Sequence, residues 1–215
     1  MTDRRERLRS ARLYLVCAEE TDDFLHLVLA AGVDIVQLRM KDAGDEAILA
    51  AGQRFARAAA AHDALFILND RPDLVVAAGA DGAHVGQDDA AVDEARAIVG
   101  PDRLVGLSTH SPAQVDAAAK LDVDYIGVGP VHATPTKPGR PAVGLELVRY
   151  AAAESPVPFF AIGGISPANV ADVRSAGAGR IAVVRAITEA ADPGSSARSL
   201  REGLAAAPGV GVGAA

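Results

Sequence analysis

The chain of 215 residues is 50% hydrophobic and 23% charged, so it can bury a full core and is not globally disordered. Its net charge of −7 argues against a nucleic-acid partner, because contacts with a phosphate backbone need a basic face. The single cysteine, Cys17, excludes an intramolecular disulfide, and no run reaches the roughly 18 apolar residues of a membrane helix. We therefore expect a cytoplasmic protein with no membrane partner.

Short strand-like runs alternate along the chain with longer, Ala-rich runs of helical pattern. Strands are predicted at residues 14–16, 35–38, 65–68, 82–85, 104–107, 125–128, 159–162 and 180–184, and the helices include 45–62, 72–79, 145–153, 167–176 and 196–206. This regular alternation predicts an α/β fold, because eight parallel strands close a (β/α)8 TIM barrel. An open doubly wound sheet is the alternative, although it normally has fewer strands.

No linker-like stretch interrupts the alternation, so we expect one barrel domain over residues 1–207. Residues 208–215 are small and Gly-rich and are expected to form a disordered tail. The sequence leaves the oligomeric state open, a homo-oligomer included.

Polar residues follow the second predicted strand, at the end of a barrel where functional groups gather. Gln37, Arg39 and Lys41 occupy alternate positions, and a continued strand would point all three to the same side. An amide and two cations suit a diphosphate or the edge of a heterocycle. The alternative is a strand end that frays into solvated charge.

Carboxylates follow the third and fourth strands, as Asn69-Asp70 and Asp88-Asp89. Neighbouring strand ends lie about 5 Å apart, so one carboxylate from each strand can share Mg²⁺ beside a phosphorylated substrate. Each Asp could instead cap the helix that follows it. The placement on adjacent strands favours the metal site.

Glycines and a cation follow the seventh and eighth strands, as Gly163-Gly164 and Val184-Arg185. These two loops form the recurrent phosphate site of such barrels, where bare backbone N–H groups face the anion. The alternative for the glycine pair is a tight turn without a ligand.

A long loop follows the sixth strand, at about residues 129–144, and carries Thr134, Thr136 and Lys137 among many Gly and Pro residues. This composition suits a loop that closes over an anionic ligand, and a mobile surface insertion is the alternative. His110 and His132 lie on the same side of the barrel, where each is either a base or a bystander.

Together these motifs, which extend from about residue 13 to residue 188, resemble the thiamine phosphate synthase family in order and spacing. The matching segments are residues 37–41 (QLRMK), 68–70 (LND), 84–89 (HVGQDD), 129–131 (GPV), 134–137 (TPTK) and 161–165 (AIGGI). The resemblance implies an alkyl transferase that joins 4-amino-2-methyl-5-hydroxymethylpyrimidine diphosphate to a (carboxy)thiazole phosphate. The products would be thiamine monophosphate and pyrophosphate.

The resemblance also implies the site. Asp70 and Asp89 would bind Mg²⁺, and the catalytic residues would be Arg39, Lys41, Ser108 and Lys137, which neutralise a diphosphate that departs without any side-chain nucleophile. Substrate contacts would come from Gln37, Leu38, Arg39, Met40, Lys41, Asn69, Ser108, Thr134, Pro135, Thr136, Lys137, Gly164, Val184 and Arg185.

Two departures from the family pattern bear on these assignments. Arg185 stands where the family often has Ser, and His132-Ala133 stands where an aromatic residue and Pro are frequent. His132 leaves a thiazole tautomerase of the same fold as one alternative. A non-catalytic barrel that binds a phosphorylated heterocycle is the other.

Overall fold

Eight parallel strands form a closed barrel in sequential order, with β8 pairing back to β1. The computed structural model describes residues 3–134 and 141–205. The predicted (β/α)8 barrel is confirmed, and each observed strand overlaps a predicted one. The strands are β1 (Leu13–Cys17), β2 (Ile35–Leu38), β3 (Leu65–Asn69), β4 (Gly82–Val85), β5 (Leu104–Thr109), β6 (Tyr125–Val128), β7 (Phe159–Ile162) and β8 (Ile181–Val183).

Helices cover the outside of the barrel and connect the strands. They are α1 (Arg4–Ser10), α2 (Asp22–Ala30), α3 (Asp45–Ala61), a 3₁₀ turn (Pro72–Leu74) continued by α4 (Val75–Ala78), α5 (Val92–Val99), α6 (Pro112–Ala118), α7 (Gly144–Glu154), α8 (Val170–Ser175), α9 (Arg185–Thr188) and α10 (Pro193–Ala205). Within the described ranges, none of these helices is both long and apolar enough to cross a membrane.

The strands are buried on both faces, which explains why they are nearly continuous apolar runs in the sequence. In β1, Leu13, Leu15 and Cys17 pack against the helices, whereas Tyr14 and Val16 point into the barrel. Cys17 is 3% exposed, and burial raises the pKa of its thiol, so it behaves as a small core residue. The same alternation in the other strands decides which side chains reach the interior.

Helices α1 and α9 were not among the predicted elements. Only Leu8 of α1 is buried, so its sequence lacks the apolar periodicity by which helices are recognised. Its arginines instead bind carboxylates at the amino ends of the strands: Arg4 Nε lies 2.8 Å from Asp81 Oδ1, and Arg5 Nε lies 2.8 Å from Asp124 Oδ1. Helix α1 therefore closes the barrel end opposite to the predicted site.

Candidate active site

A cavity of about 380 Å³ opens at the carboxyl ends of the strands. Its walls contain residues predicted from five different strand ends and from the sixth loop, so the fold brings together segments that are far apart in sequence. The predicted site residues that line it are Gln37, Arg39, Asn69, Ser108, Thr134, Gly164, Val184 and Arg185.

The end of β2 directs alternate side chains into this cavity, as its sequence predicts. Gln37 is 3% exposed, and its Nε2 donates to the Tyr14 hydroxyl at 2.5 Å. The backbone N–H of Arg39 donates to the Cys17 carbonyl at 2.8 Å, which extends the pairing with β1 by one residue. Leu38 packs on the opposite side, between barrel and helices, so a ligand at the cavity can meet only its backbone.

Two further residues of this segment lie outside the cavity wall. Met40 packs against the apolar layer that contains Leu38. Lys41 lies in the turn after the strand, where its Nζ is 3.1 Å from Asp70 Oδ2. The predicted trio of Gln37, Arg39 and Lys41 is therefore divided, with two side chains in the cavity and the third beside the carboxylates.

Asp70 and Asp89 meet at the ends of the adjacent strands β3 and β4. Burial and then the hydrogen bond with the Asp89 carboxyl raise the pKa of Asp70, while Lys41 lowers it. Asp70 has a φ of +58°, and its N–H donates to the His84 carbonyl at 2.9 Å. Asp89 Oδ2 accepts from the N–H of Gly86 at 2.9 Å. The backbone of Asp70 and the carboxyl group of Asp89 are thus each held in place by the backbone of β4 and its loop.

The helix-capping alternative for these carboxylates does not hold. The residue that precedes the 3₁₀ turn is Arg71 and the N-cap of α5 is Ala91, and neither helix start has a side-chain cap. The described residues contain no cluster of three or more His, Cys, Asp or Glu side chains suited to a metal. Mg²⁺ commonly uses only one or two carboxylates, with water and phosphate as the other ligands. Two carboxyl groups in contact fit that ion, because a divalent cation removes their mutual repulsion.

The loops after β7 and β8 form the other side of the cavity. Gly163 and Gly164 have φ of +108° and +63°, and a Cβ on Gly163 would lie 2.5 Å from the Cα of Pro130, so this loop packs directly against the sixth loop. Helix α9 begins at Arg185, and the first N–H groups of a helix have no partner within it. The Arg185 side chain pairs at 3.6 Å with Glu189, the residue that follows this helix, so the backbone of Arg185 is the part suited to an anion.

The sixth loop is only partly described. Thr134 lines the cavity, whereas Pro135, Thr136 and Lys137 fall in the gap between the described ranges. His110 lines the cavity, and its Nδ1 contacts the Gly129 carbonyl. His132 is not part of the cavity wall, and its buried Nε2 has no hydrogen-bond partner among the described residues.

The sequence analysis did not identify His84, Tyr14 and Tyr125 as residues of the cavity wall. His84 lies within β4 and faces the cavity, with its Nε2 3.0 Å from Ser108 Oγ and its Nδ1 3.2 Å from the Tyr125 hydroxyl. In the strand register His84 is paired with Asn69, a predicted site residue. A polar residue at an inward position near a strand end was the available signal, and it is visible only once the register is known.

Comparison with known proteins agrees with this geometry. Residues 13–187 match the family model described as thiamine monophosphate synthase. The thiamine-phosphate synthase of Mycobacterium marinum is 51% identical over 217 residues, covering 94% of this chain and 98% of that protein. The thiamine-phosphate synthase of Gloeobacter violaceus is 50% identical over 194 residues, and the match covers 89% of this chain but 57% of that longer protein.

A solved structure shows the same arrangement of elements. The thiamine phosphate pyrophosphorylase from Pyrococcus furiosus superposes with a TM-score of 0.84 at 29% identity, covering 94% of this chain and 97% of that one. The barrel and its loops are thus shared along nearly the whole length of both chains.

Proposed function

Because the chain belongs to the thiamine phosphate synthase family, we propose that it joins 4-amino-2-methyl-5-hydroxymethylpyrimidine diphosphate to a thiazole phosphate, carboxylated or not. The products are thiamine monophosphate and pyrophosphate, together with carbon dioxide when the thiazole is carboxylated. The observation that supports this function best is the contact between Asp70 and Asp89 beside Lys41, next to a cavity large enough for a heterocycle.

The proposed reaction is a dissociative substitution. The bond between the pyrimidine methylene carbon and the diphosphate oxygen breaks, and both electrons leave with the diphosphate. The thiazole nitrogen then donates its lone pair to that carbon and forms the new C–N bond. The step needs no side-chain nucleophile, so catalysis rests on stabilising the departing charge and on positioning two substrates.

The proposed site residues fall into three groups, which bind the diphosphate, the pyrimidine and the thiazole phosphate. Arg39, Lys41 and Ser108 are proposed to bind and stabilise the diphosphate, together with Lys137 of the sixth loop. Gln37 and Asn69 orient the pyrimidine. Mg²⁺, held by Asp70 and Asp89, would supply two positive charges that neutralise the leaving group. The thiazole phosphate is assigned to Thr134, Thr136, Gly164, Val184 and the backbone of Arg185.

Aromatic rings form much of the floor of the cavity. Tyr14, Tyr125 and Phe160 pack with ring centroids 5.3–6.0 Å apart. Such a surface receives the flat pyrimidine and keeps water from the reactive carbon. Exclusion of water matters because a pyrimidine-methyl cation would otherwise be captured by hydroxide or water instead of thiazole.

The tautomerase alternative requires a base at the thiazole site. His132 was the residue that suggested a tautomerase, but the cavity wall does not include this residue and its Nε2 is buried. A tautomerase also has no leaving diphosphate that would need paired carboxylates and cations. The observations therefore favour the synthase over the tautomerase.

One assay separates the synthase from both alternatives. The purified protein is incubated with both substrates and Mg²⁺, and pyrophosphate and thiamine monophosphate are measured. We expect both products in equal amounts. Isomerised thiazole alone would indicate the tautomerase, and binding of thiazole phosphate without pyrophosphate release would indicate the non-catalytic barrel.

A further inference from the structure

A chain of hydrogen bonds crosses the barrel interior at the floor of the cavity and joins two of the proposed substrate-binding residues. Gln37 stands at one end and Ser108 at the other, and Tyr14, Tyr125 and His84 stand between them. The successive distances are 2.5 Å from Gln37 Nε2 to Tyr14 OH, 2.9 Å from Tyr14 OH to Tyr125 OH, 3.2 Å from Tyr125 OH to His84 Nδ1 and 3.0 Å from His84 Nε2 to Ser108 Oγ.

The barrel makes room for this chain at one glycine. In the register of the sheet Gly106 of β5 lies between His84 of β4 and Tyr125 of β6. A Cβ at position 106 would lie 2.2 Å from Tyr125 Cζ and 2.6 Å from His84 Nδ1. The missing side chain therefore allows two residues from non-adjacent strands to touch.

Both tyrosines in the chain keep their hydroxyl hydrogens. Tyr14 and Tyr125 are 2% and 0% exposed, and burial raises the pKa of each phenol. A buried hydroxyl has one hydrogen to donate, and leaving that hydrogen without an acceptor is costly. Each link therefore has a donor and an acceptor, and the direction of one link constrains the next.

The amide of Gln37 sets the direction. Its Nε2 donates to the oxygen of Tyr14, so the Tyr14 hydrogen is directed to Tyr125, its other described neighbour in the chain. Tyr125 then donates to Nδ1 of His84. A histidine that accepts at Nδ1 carries its hydrogen on Nε2 when it is neutral, so Nε2 donates to Ser108 Oγ.

We propose that His84 is a positioning residue whose neutral, Nε2-protonated imidazole holds Ser108 with its hydroxyl hydrogen directed toward the diphosphate of the substrate. The inference rests on the proposed function, because it specifies how Ser108 meets the leaving group. With the chain in the opposite direction, Ser108 would donate to His84 and present only lone pairs to an anion. The tautomer of the buried His84 imidazole thus decides whether Ser108 presents a hydrogen or a lone pair to the departing diphosphate.

The same chain couples the two ends of the site. When Nε2 of Gln37 faces Tyr14, the amide oxygen is left to accept a hydrogen bond, such as one from the amino group of the pyrimidine. Turning the amide over would reverse each link and withdraw the hydrogen of Ser108. Binding of the heterocycle at Gln37 therefore favours the state of Ser108 that stabilises the diphosphate.

Nitrogen NMR tests the direction of the chain without any assay of activity. In protein labelled with ¹⁵N-histidine, the His84 signals are identified by their loss in His84→Gln. We expect Nε2 to carry the hydrogen and Nδ1 to be unprotonated at neutral pH. A hydrogen on Nδ1, or on both nitrogens, would overturn the proposal.

Kinetics test the function of the chain. His84→Leu removes both links, and we expect kcat to fall about 10- to 100-fold, the value of a hydrogen bond to a charged group, with little change in KM for the thiazole phosphate. His84→Gln, whose amide can accept one hydrogen bond and donate another, should recover most of the kcat that His84→Leu loses. Tyr125→Phe keeps the ring packing but removes one hydroxyl, and it should lower kcat in the same way if His84→Leu fails to fold. His26→Leu, on the outer helix α2, is the matched control and should retain wild-type rates.

The decisive comparison places His84→Leu in a Ser108→Ala background. If His84 acts through Ser108, the double variant should be little slower than Ser108→Ala alone. Equal fold losses in both backgrounds would indicate a general structural effect and reject the proposal. If the wild-type protein releases no pyrophosphate while the NMR tautomer is as expected, the proposed reaction fails and the direction of the chain stands.

Discussion

Asp70 Oδ2 lies 3.1 Å from the Nζ of Lys41, yet the pKa of this carboxyl is raised, because burial and the Asp89 carboxyl outweigh the cation. A group whose pKa is higher in the folded state than in the unfolded state stabilises the fold at pH below the unfolded value. That contribution is lost as the pH rises through the folded value. In the metal-free protein Asp70 therefore contributes less to stability when it is ionised than when it is protonated.

Asp70→Asn should accordingly raise the Tm of the metal-free protein at neutral pH while it lowers activity. We expect a small gain in Tm, because the change removes a carboxyl group whose charged form is disfavoured by burial and by Asp89. Melting curves recorded in EDTA test this. A lower Tm for Asp70→Asn would show that the pair is not repulsive.

Asp73→Asn is a control that should change the Tm in the opposite direction. The hydrogen bond from Arg71 lowers the pKa of Asp73, so this carboxylate stabilises the fold above its unfolded pKa and loses that effect as the pH falls. The side chain of Asp73 is 52% exposed, so solvent screens the pair and we expect only a slightly lower Tm.

Asp89→Ala should raise the Mg²⁺ concentration needed for half-maximal activity at least tenfold, because one of two proposed metal ligands is lost. A titration of pyrophosphate release against Mg²⁺ measures this requirement. Asp88→Ala, which removes the neighbouring carboxylate, is the control against which the Mg²⁺ requirement of Asp89→Ala is compared. An unchanged metal requirement in Asp89→Ala would remove this residue from the site.

Lys137→Ala should slow release of pyrophosphate about 100-fold or more, as expected when a group that stabilises developing charge is removed. Its effect on the dissociation constant of the thiazole phosphate should be small, since that ligand is assigned to other residues of the sixth loop and to loops seven and eight. Single-turnover rates and direct binding measurements separate the two. Equal loss in both would contradict the role proposed for this lysine.

Asp124→Ala should unfold the barrel more easily without affecting the site. The Asp124 side chain is 8% exposed, and its Oδ2 accepts from Arg96 at 2.6 Å and from the N–H of Val105 at 2.8 Å. Without Asp124, Arg96 keeps only the exposed Asp122 among the described carboxylates, and loss of one partner of a buried pair costs about 3–5 kcal/mol. Chemical denaturation measures this loss.

Asp122→Ala is the matched control for that change, because it removes a second partner of the same Arg96. The Asp122 side chain is 69% exposed and lies 3.1 Å from Arg96 Nε, so its loss should alter stability by less than about 1 kcal/mol. Both variants should keep wild-type kcat at temperatures where they are folded. A comparable loss in the two variants would show that burial does not set the strength of this pair.

The sequence by itself determined the barrel and the strand ends at which the site is assembled. Largely apolar runs of three to five residues between Ala-rich helical segments are local patterns, and they predicted each strand of the sheet. Motifs such as Gln37 to Lys41 and Asn69-Asp70 lie next to those strands, so the rule that functional groups gather at one end of a barrel was enough to group them.

Only the tertiary structure decided which of these side chains touch. Lys41 lies beside Asp70 and outside the cavity because β2 ends before it. Helix α1 is held by ion pairs to residues more than 70 positions away. Likewise, His84 belongs to the site because the closed sheet sets it opposite Tyr125 across Gly106, a contact between strands 41 residues apart in sequence. Side-chain alternation is a local property, whereas the register and closure that bring two inward positions together depend on pairing between distant strands.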